Sequence, residues 1–100
     1  AKGGEGLANL RRTLAGYARH PNFGGVLLVG LGCEVNQIDP LLAEAGLAPS
    51  VNLRTLGVQE SGGTRAAIDH GIAAVEELLG IANTASRSEV SAAHLMLGLQ

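Results

Sequence analysis

One hundred residues of 46% hydrophobic content make one folded unit around one core, with no length left for a second. Aromatic residues make up only 2% while glycine reaches 15, so the core has to be built from Leu, Val, Ile and Ala, with helices packed closely on strands. A formal net charge of −2 offers no basic stripe, and Tyr17 and Phe23 alone form no stacking platform for bases, which removes nucleic acid from the expected partners.

The opening AKGGEG is glycine-rich, but Leu7, Leu10, Leu14 and Tyr17 then recur at helical spacing and predict an amphipathic helix over residues 5–19. His20-Pro21-Asn22 stops it, because proline disfavours helical geometry in the residue before it, and a turn follows through Phe23-Gly24-Gly25. Val26-Leu27-Leu28-Val29 is a continuous apolar run between glycines, the pattern of a strand covered on both faces. Ile38, Leu41, Leu42 and Ala45 mark a second helical face, with Pro40 tolerated near its start and Gly46 as its C-terminal cap. Residues 51–58 predict a second strand, after which Ile68, Ile72, Val75 and Leu79 define a long helix from Gly63 or Thr64 to Gly80. Ser86-Arg87-Ser88-Glu89 has capping-box spacing, and Leu95-Met96-Leu97-Gly98-Leu99 reads as a third strand.

Strands alternating with helices imply a parallel sheet with right-handed crossovers. The expected architecture is an α/β domain over residues 1–100, three-layered and Rossmann-like or flavodoxin-like, with a short parallel sheet flanked by helices. All strand ends then emerge on one edge, gathering residues 33–36, residues 59–64 and Gln100 in the crevice where open α/β sheets bind ligands.

Several constellations there carry chemistry, each beside a plainer reading. Gly30-x-Gly32 after a strand suggests a dinucleotide site, but Val35 occupies the third glycine position and no acidic residue falls where a ribose would need it. Nicotinamide and flavin are therefore not expected. Gly62-Gly63-Thr64-Arg65 opens a helix, where free N–H groups, a hydroxyl and a guanidinium suit a carboxylate; the plainer reading is a glycine turn capped by Ser61 or Thr64. Cys33 beside Glu34 is a metal-ligand pair, a reactive thiol, or a buried inert cysteine. His20 at a helix end suits the helix dipole, His70 beside Asp69 reads as solvated, and nothing local assigns His94 a role. Asn36 and Gln37 fit either a helix cap or a polyol.

The longest apolar stretch, residues 26–33, falls far short of the roughly 20 residues that cross a bilayer, and the chain opens on no charged-then-apolar leader, so a soluble, unprocessed protein with no membrane partner is expected. The single cysteine, Cys33, makes no internal disulfide and points to the reducing cytoplasm.

The string His20-Pro21-Asn22-Phe23-Gly24-Gly25-Val26-Leu27-Leu28-Val29-Gly30-Leu31-Gly32-Cys33-Glu34 resembles the HPN…GLGCE signature of the galactarate dehydratase/altronate dehydratase (altronate hydrolase) family. Val58-Gln59-Glu60-Ser61-Gly62-Gly63-Thr64 resembles that family's Q-E-x-G-G-T segment, and residues 91–100 resemble the stretch leading into its L-Q-C-G-G-S-D motif. The resemblance covers residues 17–100 and implies a central domain fragment of a larger sugar-acid dehydratase. It implies a hydro-lyase that removes the proton α to a carboxylate and expels the β-hydroxyl, giving a 2-keto-3-deoxy acid, in an enzyme dependent on a divalent metal, usually Fe2+.

Carried over position by position, the resemblance makes Cys33 and Glu34 the catalytic candidates, either of them facing the metal. Gln59, Gly62, Gly63 and Thr64 become substrate-binding candidates, with His20 and Asn22 expected nearby. Ala92-Ala93-His94-Leu95 and Val35-Asn36-Gln37 depart from the Ala-Ser-Glu-Leu and Lys-Leu-Gln of relatives, so no particular sugar acid is carried over. The fragment alone is expected to be inactive and to hold no cofactor, its pocket completed by the remaining domains of the same chain. Some self-association to a homo-oligomer is expected through apolar surface at the last strand. The competing reading is a non-catalytic anion-binding or assembly module.

Overall fold

The structure is a computed structural model that describes residues 4–33 and 37–100. The elements run α1 (Glu5–Ala18), β1 (Val26–Gly30), α2 (Ile38–Ala45), β2 (Leu53–Gly57) and α3 (Thr64–Ala82), followed by a single 3-10 turn (Ala92–His94). β1 and β2 pair in parallel, Val26 opposite Leu53 through Gly30 opposite Gly57. The α/β class and the parallel sheet expected from the sequence are both present.

Each element follows from local chemistry. α1 ends where Arg19 and His20 turn back on Ala15 and Tyr17 carbonyls, immediately before Pro21. α2 closes on Gly46 at φ 66°, the left-handed cap that a residue without Cβ adopts at least cost. The core is small and aliphatic: Ala15 of α1, Leu41 and Leu42 of α2, Leu53 of β2, and Ala67 and Leu78 of α3.

Strand alternation assigns the layers. Gly71 of α3 sits against Leu27 and Leu56, and Arg54 pairs with Glu77, so α3 covers the face carrying Leu27, Arg54 and Leu56. The first turn of α2 shares a cleft with Gly30, Thr55 and Gly57, the alternate set. α1 lies outside α2, tied by the Arg11–Glu44 ion pair and by Arg19 Nη2 donating to the Ala45 carbonyl at 3.0 Å.

The structure corrects the sequence reading in three places. The sheet has two strands among the described residues: residues 95–99 are irregular and exposed rather than a third strand. The Ser86-Arg87-Ser88-Glu89 capping box starts no helix. α3 runs past Gly80 to Ala82, because a lone glycine with open space around it weakens a helix without ending it. The helix that Ile68, Ile72, Val75 and Leu79 define is present; its sheet-facing row is Ala67, Gly71, Ala74 and Leu78, while those four stay more than half exposed. Small residues let the helix axis approach the strands, and the larger apolar row is turned aside.

Candidate functional site

The two strand-end loops meet at the C-terminal edge of the sheet. Pairing continues past the strands, with Val58 N–H donating to the Gly30 carbonyl at 2.8 Å and Gln59 N–H to the Leu31 carbonyl at 3.3 Å. Gln59 is thereby laid over Gly32: a Cβ built on Gly32 would stand 2.5 Å from Gln59 Oε1, and the backbone there has φ 122°. From the other side, Gln37 Nε2 donates to the Gly32 carbonyl at 3.2 Å. Gly32 is thus the point where the β1 loop, the β2 loop and the approach to α2 converge.

The loop from β2 into α3 is a tight double turn. Ser61 N–H and Oγ both donate to the Gly57 carbonyl, at 3.0 and 2.7 Å, while Gly62 and Gly63 N–H groups donate to the Gln59 and Val58 carbonyls at 3.2 Å. Gly62 and Gly63 have φ of 95° and 121°, which explains two glycines in succession. Gly63 is the N-cap of α3 and no side chain caps the helix, so neither Ser61 nor Thr64 plays the capping role that the plainer sequence reading gave them. The first-turn N–H groups and the exposed Thr64 and Arg65 remain at the positive end of a 19-residue helix, an arrangement suited to a carboxylate.

Among the sequence-selected residues, Cys33, Gln59, Gly62 and Gly63 on the loops and Thr64 at the start of α3 therefore sit at one edge. Cys33 is exposed, which removes the reading of it as a buried inert thiol. Glu34 lies outside the described residues, as do Val35 and Asn36. His20 and Asn22 lie elsewhere. They precede β1, so they fall at its N-terminal end, where His20 lines a separate hollow with Phe23, Ser50 and Asn52, and its Nδ1 accepts from Asn22 N–H at 3.1 Å. Its ring packs tilted on Phe23, with centroids 5.6 Å apart. Five strand residues separate the two edges by about 13 Å.

The structure also shows lining residues that were not singled out. A cleft of about 120 Å³ at the same edge is bounded by Gly32, Gln37, Asp39, Thr55, Gly57 and Glu60. Thr55 is the polar position between Leu53 and Gly57 on the α2-facing side of β2, and Asp39 opens a helix after a strand end; both signals were legible. The volume is below the roughly 300–1,000 Å³ of a small-molecule site, so these walls are part of a pocket rather than a whole one. Among the described residues no three His, Cys, Asp or Glu side chains gather to hold a metal ion. They do not by themselves fit a resident metal. No described helix is long and apolar enough to cross a membrane.

Fold and site together define a parallel α/β domain whose glycine-bearing strand-end loops close on a single edge. The chain belongs to the D-galactarate dehydratase/altronate hydrolase family: the family's second-domain profile, "D-galactarate dehydratase/Altronate hydrolase, second domain", matches residues 1–83. It is 33% identical over 97 residues to an altronate dehydratase of Bacillus subtilis (strain 168), covering 97% of this chain and 19% of that protein. It is 51% identical over 35 residues to an altronate dehydratase of Escherichia coli (strain K12), covering 35% of this chain and 7% of that protein. The chain thus spans about a fifth, or less, of the length of these curated relatives. No solved structure matches it.

Proposed function

We propose that this chain is one domain of a sugar-acid dehydratase of galactarate or altronate type, a hydro-lyase that releases water to leave a 2-keto-3-deoxy acid. The observation that carries the reading is the closure of Gln59 onto Gly32, with the Gly62-Gly63 turn folded back on the Gln59 and Val58 carbonyls, which gathers two separate family-like segments on the edge that carries Cys33. The finer fold that goes with it is a three-layer Rossmann-like or flavodoxin-like domain, supported by helices on both faces of the parallel pair.

The chain's own residues have limited tasks in that reaction. Thr64 and the uncapped N–H groups of α3 orient the substrate carboxylate, and that fixed positive end favours the charge that builds when the α proton leaves. Gln59 and Gln37 offer amide donors and acceptors that suit a polyol chain. Cys33, exposed on that edge, is the proposed proton acceptor or metal ligand, a role that the family resemblance extends to Glu34. Divalent-metal dependence, with ferrous iron the first choice, belongs to the proposal; such an ion would need ligands beyond any that Cys33 could supply among the described residues. Sugar acid as ligand, the remaining domains of the intact protein as partners, assembly as a homo-oligomer and cytoplasmic residence, argued from the lone Cys33, complete it.

The test is turnover by the intact protein and its variants. Thr64→Ala and Cys33→Ala are expected to abolish 2-keto acid formation while leaving the unfolding transition in place. Retained turnover in both would instead favour the non-catalytic reading, an anion-binding or assembly module, for which the uncapped α3 N-terminus is the specific support.

A further inference from the structure

The apolar run Leu95-Met96-Leu97-Gly98-Leu99 stands clear of the rest of the molecule, its four large side chains between 78% and 96% exposed. The radius of gyration, 16.3 Å, exceeds the roughly 13 Å of a closed domain of this size. Two other apolar surfaces also lack a cover. One is the Ile68, Ile72, Val75 and Leu79 row of α3, and the other is Val29 of β1, all more than half exposed.

Val29 shares a sheet face with Leu27 and Leu56, the face under α3, yet Leu56 is half-buried while Val29 is open. The uncovered strip of that face is therefore at β1, whose outer edge carries no partner strand among the described residues. The open row of α3 is one residue on from its sheet-facing row, a turn of about 100° around the helix axis. α2 and α3 occupy opposite faces, and right-handed crossovers from β1 to β2 and from β2 onward place the next parallel strand beside β1. A right-handed helix running back from the C-terminal edge turns its open row toward the same side. Finally, α3 ends at the start of β1, with Ala82 against Gly24 and Leu78 against Gly25, so residues 83–94 need only bridge from there to the adjacent strand position.

We propose that residues 95–99 dock as a third parallel strand on the outer edge of β1, under the Ile68, Ile72, Val75 and Leu79 row of α3, giving the order β2, β1, third strand. Parallel pairing carries Gln100 to the edge that holds Gly32 and Cys33, so the docked strand supplies a missing wall of the cleft. The docking rests on the three-layer reading of the fold and not on the dehydratase chemistry, and its test reads distance and protection rather than turnover.

In the intact protein on a Cys33→Ser background, Val29→Cys is paired in turn with Leu97→Cys, Gly98→Cys and Leu99→Cys, with Thr55→Cys as the β2 control. Adjacent strands hold Cα atoms within disulfide range, so one Val29→Cys pair is expected to close within a chain at least about tenfold faster than any Thr55→Cys pair. The amides of residues 95–99 are expected to exchange at least about 100-fold more slowly than in an unstructured chain. Preference for Thr55→Cys, cross-links running only between two chains, or unprotected amides at 95–99 would each overturn the proposal.

Discussion

Gly32 is the residue on which the geometry of the edge depends. Its φ of 122° belongs to glycine, and the space a Cβ would take is filled by Gln59. Gly32→Ala is expected to cost about 1–3 kcal/mol through backbone strain, and to push Gln59 off the β1 loop. Urea unfolding midpoints measure the first effect, and the chemical shifts of the Gln59 side-chain amide report the second. Thr64 is the opposite case. It caps nothing, so Thr64→Ala should leave stability within about 0.5 kcal/mol, and any large loss of turnover it causes is a loss at the site. At this scale the sequence was informative about type and weaker about place. Gly62, Gly63 and Thr64 lie where a strand-to-helix turn needs them. His20 and Asn22 stand on the far edge, because residues that precede a parallel strand cannot reach the loops that follow it.

Among the elements, α3 shows how much a periodic pattern leaves open. Its Ile68, Ile72, Val75 and Leu79 spacing announces a helix, but the row that meets the sheet is the adjacent one, built on Ala67, Gly71, Ala74 and Leu78. Periodicity fixes the angle between apolar residues and not which of two neighbouring rows a two-stranded sheet accepts; the close approach at Gly71 decides that. Leu78→Ala is accordingly expected to destabilise by about 2–5 kcal/mol, seen as a lower unfolding midpoint at unchanged slope. The Arg54–Glu77 pair that ties α3 to β2 is exposed at the carboxylate, so Glu77→Gln should cost less than about 1 kcal/mol, an effect that shrinks further with added salt. α2 was more legible. Leu41 and Leu42 are buried as their spacing requires, and Gly46 takes the left-handed cap. Gly46→Ala meets open space but keeps φ at 66°, and is expected to cost about 1–2 kcal/mol by thermal or chemical unfolding. The strand read at residues 95–99 was an inference from side chains alone; a strand also needs a partner edge, and in the structure that pairing is not made.

For the molecule as a whole, the small core and the open apolar surfaces have one explanation. A two-stranded sheet buries little, and the described residues bury only Ala15, Leu41, Leu42, Leu53, Ala67 and Leu78 as a core. The Leu10, Leu14 and Tyr17 face of α1 is exposed as well, although its spacing is that of a packed helix. Such faces ask for neighbours, in keeping with a chain that corresponds to 19% of a related altronate dehydratase. The cleft has the same character: its walls carry Gln37, Asp39, Thr55 and Glu60, but its volume of about 120 Å³ is below the range of ordinary small-molecule sites. In the function proposed above, this domain holds one side of a dehydratase pocket completed by the rest of the protein. An anaerobic assay for 2-keto acid formation from galactarate, altronate and related acids, with ferrous iron, tests it most directly when the intact protein and this 100-residue chain are run side by side. Turnover by the intact protein and none by the chain is the predicted result; turnover by the chain alone, or by neither across a broad panel of acids, would contradict it.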